Sequence, residues 1–127
     1  MIKGIGVDLV EVERFRRGHH EGGLEFTEEV FTPAEVKYCR SQARYWEHFA
    51  ARFAAKEAAF KALGAGLAQG MRWKMVEVVR EPSGAVSLLF SGRATEMVRS
   101  LRITKIHLTL THNRHSAAAV VVLESRD

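Results

Sequence analysis

The sequence predicts an α+β domain in which a small, mostly antiparallel sheet is packed by one long central helix and several short ones. Three observations lead to this fold. Trp46, Ala50, Phe53, Phe60 and Gly64 recur at helical spacing over a stretch that ends at Gly64 and Gly66. Segments near both termini alternate, or run apolar, over strand lengths. Two internal apolar runs flank the turn Glu81-Pro82-Ser83-Gly84. At 127 residues the chain corresponds to a single domain, 1–127, with one core.

Ile2 to Val10 reads as a strand, with Ile5, Val7 and Leu9 on one face and Gly4, Gly6 and Asp8 on the other. The two glycines leave bare backbone beside Asp8, which suits close approach by a ligand or another element. Glu11 to Arg17 reads as a short charged helix ending near Gly18, and His19 to Gly23 as a loop with solvated histidines. Thr32-Pro33-Ala34-Glu35 starts a helix that runs to about Cys39: a Thr N-cap, proline in the first turn and an acid near the positive end. The central helix spans roughly Ala43 to Leu63 and stops at Gly64. Met75–Arg80 and Ala85–Phe90 pair as a hairpin. Ser91 is expected to cap a short helix to Leu101. Thr104–Thr111 alternates with Ile106, Leu108 and Leu110 inward and ends at His112. Ala117–Leu123 is apolar on both faces, so it is placed at the centre of the sheet.

Nineteen Lys and Arg against 15 Asp and Glu give a formal charge of +4, which favours an anionic partner. The single cysteine, Cys39, excludes an internal disulfide and fits a reducing, cytoplasmic setting. Lys3 and Asp8 interrupt the N-terminal apolar stretch, so no secretory signal is expected. No run approaches the ~20 apolar residues of a membrane span.

Glu57 is the most informative residue. At about 100° per residue it falls inside the stripe of Trp46, Ala50, Phe53 and Phe60, with Lys61 one turn beyond. An exposed Glu57–Lys61 pair would contribute only ~0.3–0.5 kcal/mol. That is too little to offset burial of a carboxylate among aromatics, so Glu57 calls for a cation. If the strand carrying Asp8 packs on this helix, the two carboxylates face one another and a divalent ion between them relieves the repulsion. Two hard oxygen ligands without a His or Cys cluster suit Mg²⁺, and Lys61 would lie beside bound phosphates. The chemistry this suggests is metal-assisted phosphoryl transfer.

Four motifs, in order along nearly the whole chain, carry a resemblance: Gly4-Ile5-Gly6-Val7-Asp8-Leu9-Val10-Glu11-Val12; Phe31-Thr32-Pro33-Ala34-Glu35; Arg52-Phe53-Ala54-Ala55-Lys56-Glu57-Ala58-Ala59-Phe60-Lys61-Ala62-Leu63-Gly64; and Leu110-Thr111-His112-Asn113. Together they resemble the holo-[acyl-carrier-protein] synthases, the small class of 4'-phosphopantetheinyl transferases. The resemblance implies transfer of 4'-phosphopantetheine from coenzyme A to a serine of apo acyl carrier protein, releasing adenosine 3',5'-bisphosphate. It assigns Asp8 and Glu57 to Mg²⁺, and Lys61 to the leaving phosphate. Arg52, Gly64 and His112 go to the coenzyme A nucleotide, and Arg14 and, less closely, Arg16 and Arg17 to the acidic carrier surface. It further implies a cytoplasmic homotrimer with sites at subunit interfaces, serving carrier-dependent lipid synthesis such as fatty acid biosynthesis. The acceptor of the serine proton stays open between a water and a carboxylate such as Glu57. Gly84-Ala85-Val86 departs from the family's usual Gly-Lys-Pro, and Thr111 replaces a frequent serine; neither touches the acidic pair.

Two other readings compete. A nucleic-acid-binding module would account for the basic balance and the Arg14–Arg17 cluster, but that cluster carries no run of aromatics to stack on bases. An inactive coenzyme A or carrier-binding subunit would not require Asp8, Glu57 and Lys61 together.

Overall fold

A computed structural model describes residues 1–126, except for the side chains of residues 19–25. The element order is β1 (Ile2–Glu11), α1 (Val12–Val30), α2 (Pro33–Arg40), α3 (Tyr45–Leu63), β2 (Val76–Arg80), β3 (Val86–Phe90), α4 (Gly92–Ser100), β4 (Ile103–His112) and β5 (Ser116–Ser125). Among the described residues the strands form two antiparallel sheets, a three-stranded one in the order β1-β5-β4 and the hairpin β2-β3. The doubly apolar Ala117–Leu123 run is therefore the central strand, as its composition requires.

Helix α3 crosses the inner face of the larger sheet, and its small residues set the distance. Ala54, Ala55, Ala58, Ala59 and Ala62 are buried against Ala119, Val121 and Leu123 of β5. Gly4 and Gly6 of β1 lie so close to the helix that a Cβ on Gly6 would sit 1.8 Å from the Ala58 carbonyl oxygen, and one on Gly4 2.0 Å from that of Ala62. The bare backbone anticipated beside Asp8 is thus filled by α3. Gly64 ends the helix in the left-handed conformation at φ 75°, its N–H bonding the Phe60 carbonyl at 2.9 Å.

The opposite sheet face is uncovered. Ile5, Val7 and Leu9 are 64%, 57% and 71% exposed. The register sets them in rows with Val122, Val120 and Ala118 of β5 and His107, Thr109 and Thr111 of β4.

Two expectations are corrected. The charged helix does not stop at Gly18 with a loop over His19–Gly23, because α1 continues to Val30. Val12 and Phe15 near its start and Val30 at its end pack into one cluster with Phe31, Phe49 and Ala50, and this tertiary packing outweighs the poor helix propensity of the glycines. The side chains of His19 and His20 lie outside the described residues. Ser91 does occupy the position before α4, but its side chain makes no capping bond.

The most deeply buried charge on α3 is Lys56, whereas Glu57 is only half-buried. Lys56 is completely enclosed, its Nζ 2.8 Å from Glu35 Oε1 and donating to the carbonyls of Val76 at 2.6 Å and Trp73 at 3.1 Å. Burial pulls the Lys56 pKa down against the opposing pull of Glu35. Glu35 also accepts the N–H groups of Thr32 and Val78, at 2.9 and 2.8 Å, and so joins α2, α3 and β2. Because Lys56→Met would strand the Glu35 carboxylate in the core, it is expected to cost about 3–5 kcal/mol. Thermal unfolding should read this as a midpoint lowered by roughly 10–20 °C.

Candidate active site

Asp8 points from β1 into a cleft that it shares with Glu57 of α3, along with Leu9, Val10, Glu11, Arg14, Phe15 and Phe53. Residues far apart in sequence meet here because the glycines of β1 let α3 approach, and because Asp8 continues the alternation that aims Gly4 and Gly6 at the helix. On the other side of Glu57 a second cleft is lined by Lys61, Gly64, Gly66, Leu67 and Gln69. Glu57 is common to both, so the two clefts form one groove with the acidic pair at its middle.

The polar contacts of the pair follow one pattern. Lys61 Nζ lies 3.0 Å from Asp8 Oδ1 and donates to the Val7 carbonyl at 3.0 Å. Trp73 Nε1 donates to Glu57 Oε1 at 3.1 Å. Each carboxylate therefore has one oxygen held in place, while Asp8 Oδ2 and Glu57 Oε2 accept no bond from another described residue. The i, i+4 pair between Glu57 and Lys61 does not form among the described residues; Lys61 reaches across to β1 instead.

Two free carboxylate oxygens on one groove, with a cation alongside, fit a hard divalent ion. Among the described residues no cluster of three His, Cys, Asp or Glu is found, so the chain offers two ligands and no closed cage. That donor set suits Mg²⁺, which keeps several waters and takes its other oxygens from phosphate.

Of the remaining expected site residues, Gly64 lines the groove beside Lys61, and Arg14 lines it beside Asp8. Arg16 is engaged by Glu13 at 2.8 Å, and Arg17 is exposed on α1 outside the groove. Arg52 and His112 lie elsewhere. Arg52 and Lys61 are nine positions apart on α3, which turns them to opposite sides of the helix at about 100° per residue. Arg52 is buried with its guanidinium 4.4 Å from the Tyr38 ring centroid, beside a cleft of about 390 Å³ that Arg80 also lines. His112 shares a hydrogen bond with Glu47 at 2.9 Å, and its ring lies 4.7 Å from that of His48. Burial, then the neighbouring His112 and Arg52, push the His48 pKa down to about 4. Tyr38 links the two parts, 5.8 Å from His48 and accepting from Arg80 at 2.9 Å. A second cationic and aromatic surface therefore stands apart from the groove.

Sequence reasoning missed Trp73, Tyr38, His48 and Arg80. None carries a local pattern, since each reaches its partner only through the packing of separate elements.

Comparisons with known proteins identify the family and the fold. The sequence profile of the 4'-phosphopantetheinyl transferase superfamily matches residues 4–120. The holo-[acyl-carrier-protein] synthase of Koribacter versatilis is 44% identical over 124 residues, covering 98% of this chain and 99% of that protein. The crystal structure of holo-[acyl-carrier-protein] synthase from Neisseria meningitidis superposes with a TM-score of 0.89 at 26% identity, over 98% of this chain and 100% of that one. The Bacillus anthracis synthase, solved in complex with CoA (3',5'-ADP), superposes with a TM-score of 0.79 at 32% identity, over 98% of each chain. The α+β fold expected from the sequence is the fold of these enzymes, and this chain belongs to the 4'-phosphopantetheinyl transferase superfamily.

Proposed function

We propose that the protein is a Mg²⁺-dependent transferase that moves 4'-phosphopantetheine from coenzyme A to a serine hydroxyl of apo acyl carrier protein. The observation that carries this reading is the pair Asp8 and Glu57, each with one oxygen held and one free on a common groove, with Lys61 between strand and helix. Relatives about 44% identical over nearly the full chain carry the name of that activity. In the reaction the serine oxygen bonds to the phosphorus bearing the pantetheine. The bond from that phosphorus to the bridging oxygen breaks, and adenosine 3',5'-bisphosphate leaves. Mg²⁺ held by Asp8 and Glu57 would neutralise the diphosphate charge. Lys61, more than half exposed and anchored only at its tip, swings to the leaving phosphate and stabilises or protonates it. Gly64 admits the diphosphate side of coenzyme A close to the backbone. Arg14, at the rim beside Asp8, meets the acidic carrier; Arg17 adds positive charge further out.

Arg52 and His112 take the nucleotide end of coenzyme A, and they do so for a neighbouring copy. Arg52 faces away from Lys61 on the same protomer, and neither it nor His112 lines the groove, so we infer that a ligand touching both surfaces spans two chains. The uncovered rows of Ile5, Val7 and Leu9 support a homotrimer closed over this face, since contiguous exposed apolar patches mark interaction sites. Ile5→Asp, on the sheet face opposite Asp8 and outside the groove lining, is expected to leave the fold intact but reduce the mass measured by light scattering to that of a single chain, with activity falling at least ~10-fold. An unchanged assembly would contradict the interface.

A single buried Cys39, its thiol pushed up to about 12 by burial, suits a reducing cytoplasmic location, where a carrier for fatty acid synthesis is the natural substrate. No helix among the described residues is long and apolar enough to cross a membrane. The nucleic-acid reading loses its support at α1: Arg16 is paired to Glu13, and Phe15 is buried with Phe31 and Phe53 instead of forming a stacking platform.

Mass spectrometry tests the function. Apo carrier protein incubated with coenzyme A, Mg²⁺ and this chain should gain the mass of one phosphopantetheine arm. Several apo carriers left unmodified would contradict it.

A further inference from the structure

We propose that Trp73 is a positioning residue for the Glu57 carboxylate, fixing which of its oxygens is presented to the cation. The inference rests on the proposed role of the groove and goes beyond the two carboxylates and Lys61.

Glu57 has three freely rotating side-chain bonds, and a carboxylate at the end of such a chain reaches a chosen geometry only if something else holds it. Trp73 Nε1, a donor that cannot act as an acceptor, holds Oε1 at 3.1 Å. Lys61 does the same for Asp8, gripping Oδ1 at 3.0 Å. The two ligands are thus tethered by two different donors, each of which leaves the second oxygen free.

The indole is in turn held from three directions. Its ring packs against Phe53 of α3, with centroids 6.1 Å apart, and edge-on against Phe26 of α1 at 6.4 Å. Its backbone carbonyl accepts from Lys56 Nζ at 3.1 Å and from the Val76 N–H that starts β2. Lys56 is itself fixed by Glu35 inside the core. A continuous chain of contacts therefore runs from the buried Lys56–Glu35 pair through Trp73 to the edge of the groove, where only the last member, Glu57, meets the ligand. Adjacent residues on α3 divide the work: Lys56 anchors the support and Glu57 uses it. Partners that orient a metal-binding carboxylate typically change metal affinity or activity 10–100-fold when removed.

Trp73→Phe keeps the ring between Phe53 and Phe26 and deletes only the N–H. Mn²⁺ is the probe, counted as free ion by electron paramagnetic resonance in the presence of coenzyme A. The variant is expected to bind Mn²⁺ about 10-fold more weakly than the unaltered chain. Its apparent KM for Mg²⁺ should rise by a similar factor, with kcat at saturating Mg²⁺ changed less than about two-fold, and its thermal midpoint should stay within a few degrees. A residue that merely filled space would lower kcat at every Mg²⁺ concentration and leave Mn²⁺ affinity alone.

A second measurement does not depend on that variant folding. In Trp46→Phe, Trp73 is the sole tryptophan, and its emission should be quenched as Mn²⁺ and coenzyme A are added; adding Glu57→Gln should abolish the response. Equal Mn²⁺ affinity in Trp73→Phe and the unaltered chain overturns the positioning role alone, as does emission from Trp73 that ignores Mn²⁺ while the chain binds it. Failure of the unaltered chain to bind Mn²⁺ overturns the cation site and the inference with it.

Discussion

Glu57→Gln is expected to lower kcat/KM for phosphopantetheine transfer on the order of 10³-fold, the scale seen when one charged or donor group is removed from a polar active site. The chain should remain folded. Gln occupies almost the same volume, Glu57 is only half-buried, and the amide oxygen can still accept the Trp73 indole N–H at the position now 3.1 Å from Oε1. What disappears is one negative charge and one anionic ligand beside Asp8. In the proposed mechanism Asp8 and Lys61 alone would then face the diphosphate, and a divalent cation would lose one of its two protein ligands. Steady-state transfer assays at several Mg²⁺ concentrations, with circular dichroism to check the fold, measure the effect. Turnover within a few-fold of the unaltered chain would remove Glu57 from the mechanism.

Gly6→Ala is expected to be the most damaging substitution outside the groove. The added Cβ would lie 1.8 Å from the Ala58 oxygen, 2.8 Å from its carbonyl carbon and 2.9 Å from the Ala62 nitrogen. All three are backbone atoms of a helix, so no side-chain rotation relieves the clash, and α3 must retreat from β1 by well over an ångström. Overpacking of an interior typically costs about 1–3 kcal/mol, and a clash with rigid backbone belongs at or beyond the upper end. The functional loss should exceed what stability explains. Gly6 is two residues from Asp8, and Ala58 adjoins Glu57, so the same retreat opens the space between the two carboxylates. The variant should unfold at a clearly lower temperature and, at temperatures where it is still folded, transfer at least ~100-fold more slowly, given the sensitivity of positioned groups to shifts of about 1 Å. Near-normal activity in a folded Gly6→Ala chain would mean that the close approach of strand and helix does not set the site.

These two substitutions also show what the sequence could and could not convey. Glu57 stood out because a carboxylate interrupted an apolar stripe and so called for a cation; the structure sets Asp8 in the same cleft. The details of the stripe differed. Helix α3 is buried nearly all round by its alanines, and the positions of Trp46, Phe53 and Glu57 form its partly open edge. Periodicity identifies a face but cannot say which face meets the core when small residues occupy the others. Lys56 was hidden for the same reason. A lysine among alanines reads as a solvated charge until Glu35, 21 positions earlier, is seen to enclose it.

The central strand was legible because Ala117–Leu123 lacks a polar face, and the hairpin was legible from its turn. The length of α1 was not, since Gly18, Gly22 and Gly23 argue locally for a break and only packing at both ends of the helix overrides them. Arg52 and His112 illustrate a further limit. Motif resemblance grouped them with Gly64, whereas helical geometry turns Arg52 away from Lys61.

The central claim is that Asp8 and Glu57 together hold one divalent cation on the diphosphate of coenzyme A. Crystals grown with coenzyme A and Mn²⁺ test it directly through the anomalous signal of the metal. The expected result is a single strong peak within bonding distance of Asp8 Oδ2, Glu57 Oε2 and a diphosphate oxygen, with Trp73 still on Oε1. A coenzyme A complex with no peak between the two carboxylates, or with metal bound by only one of them, would contradict the account.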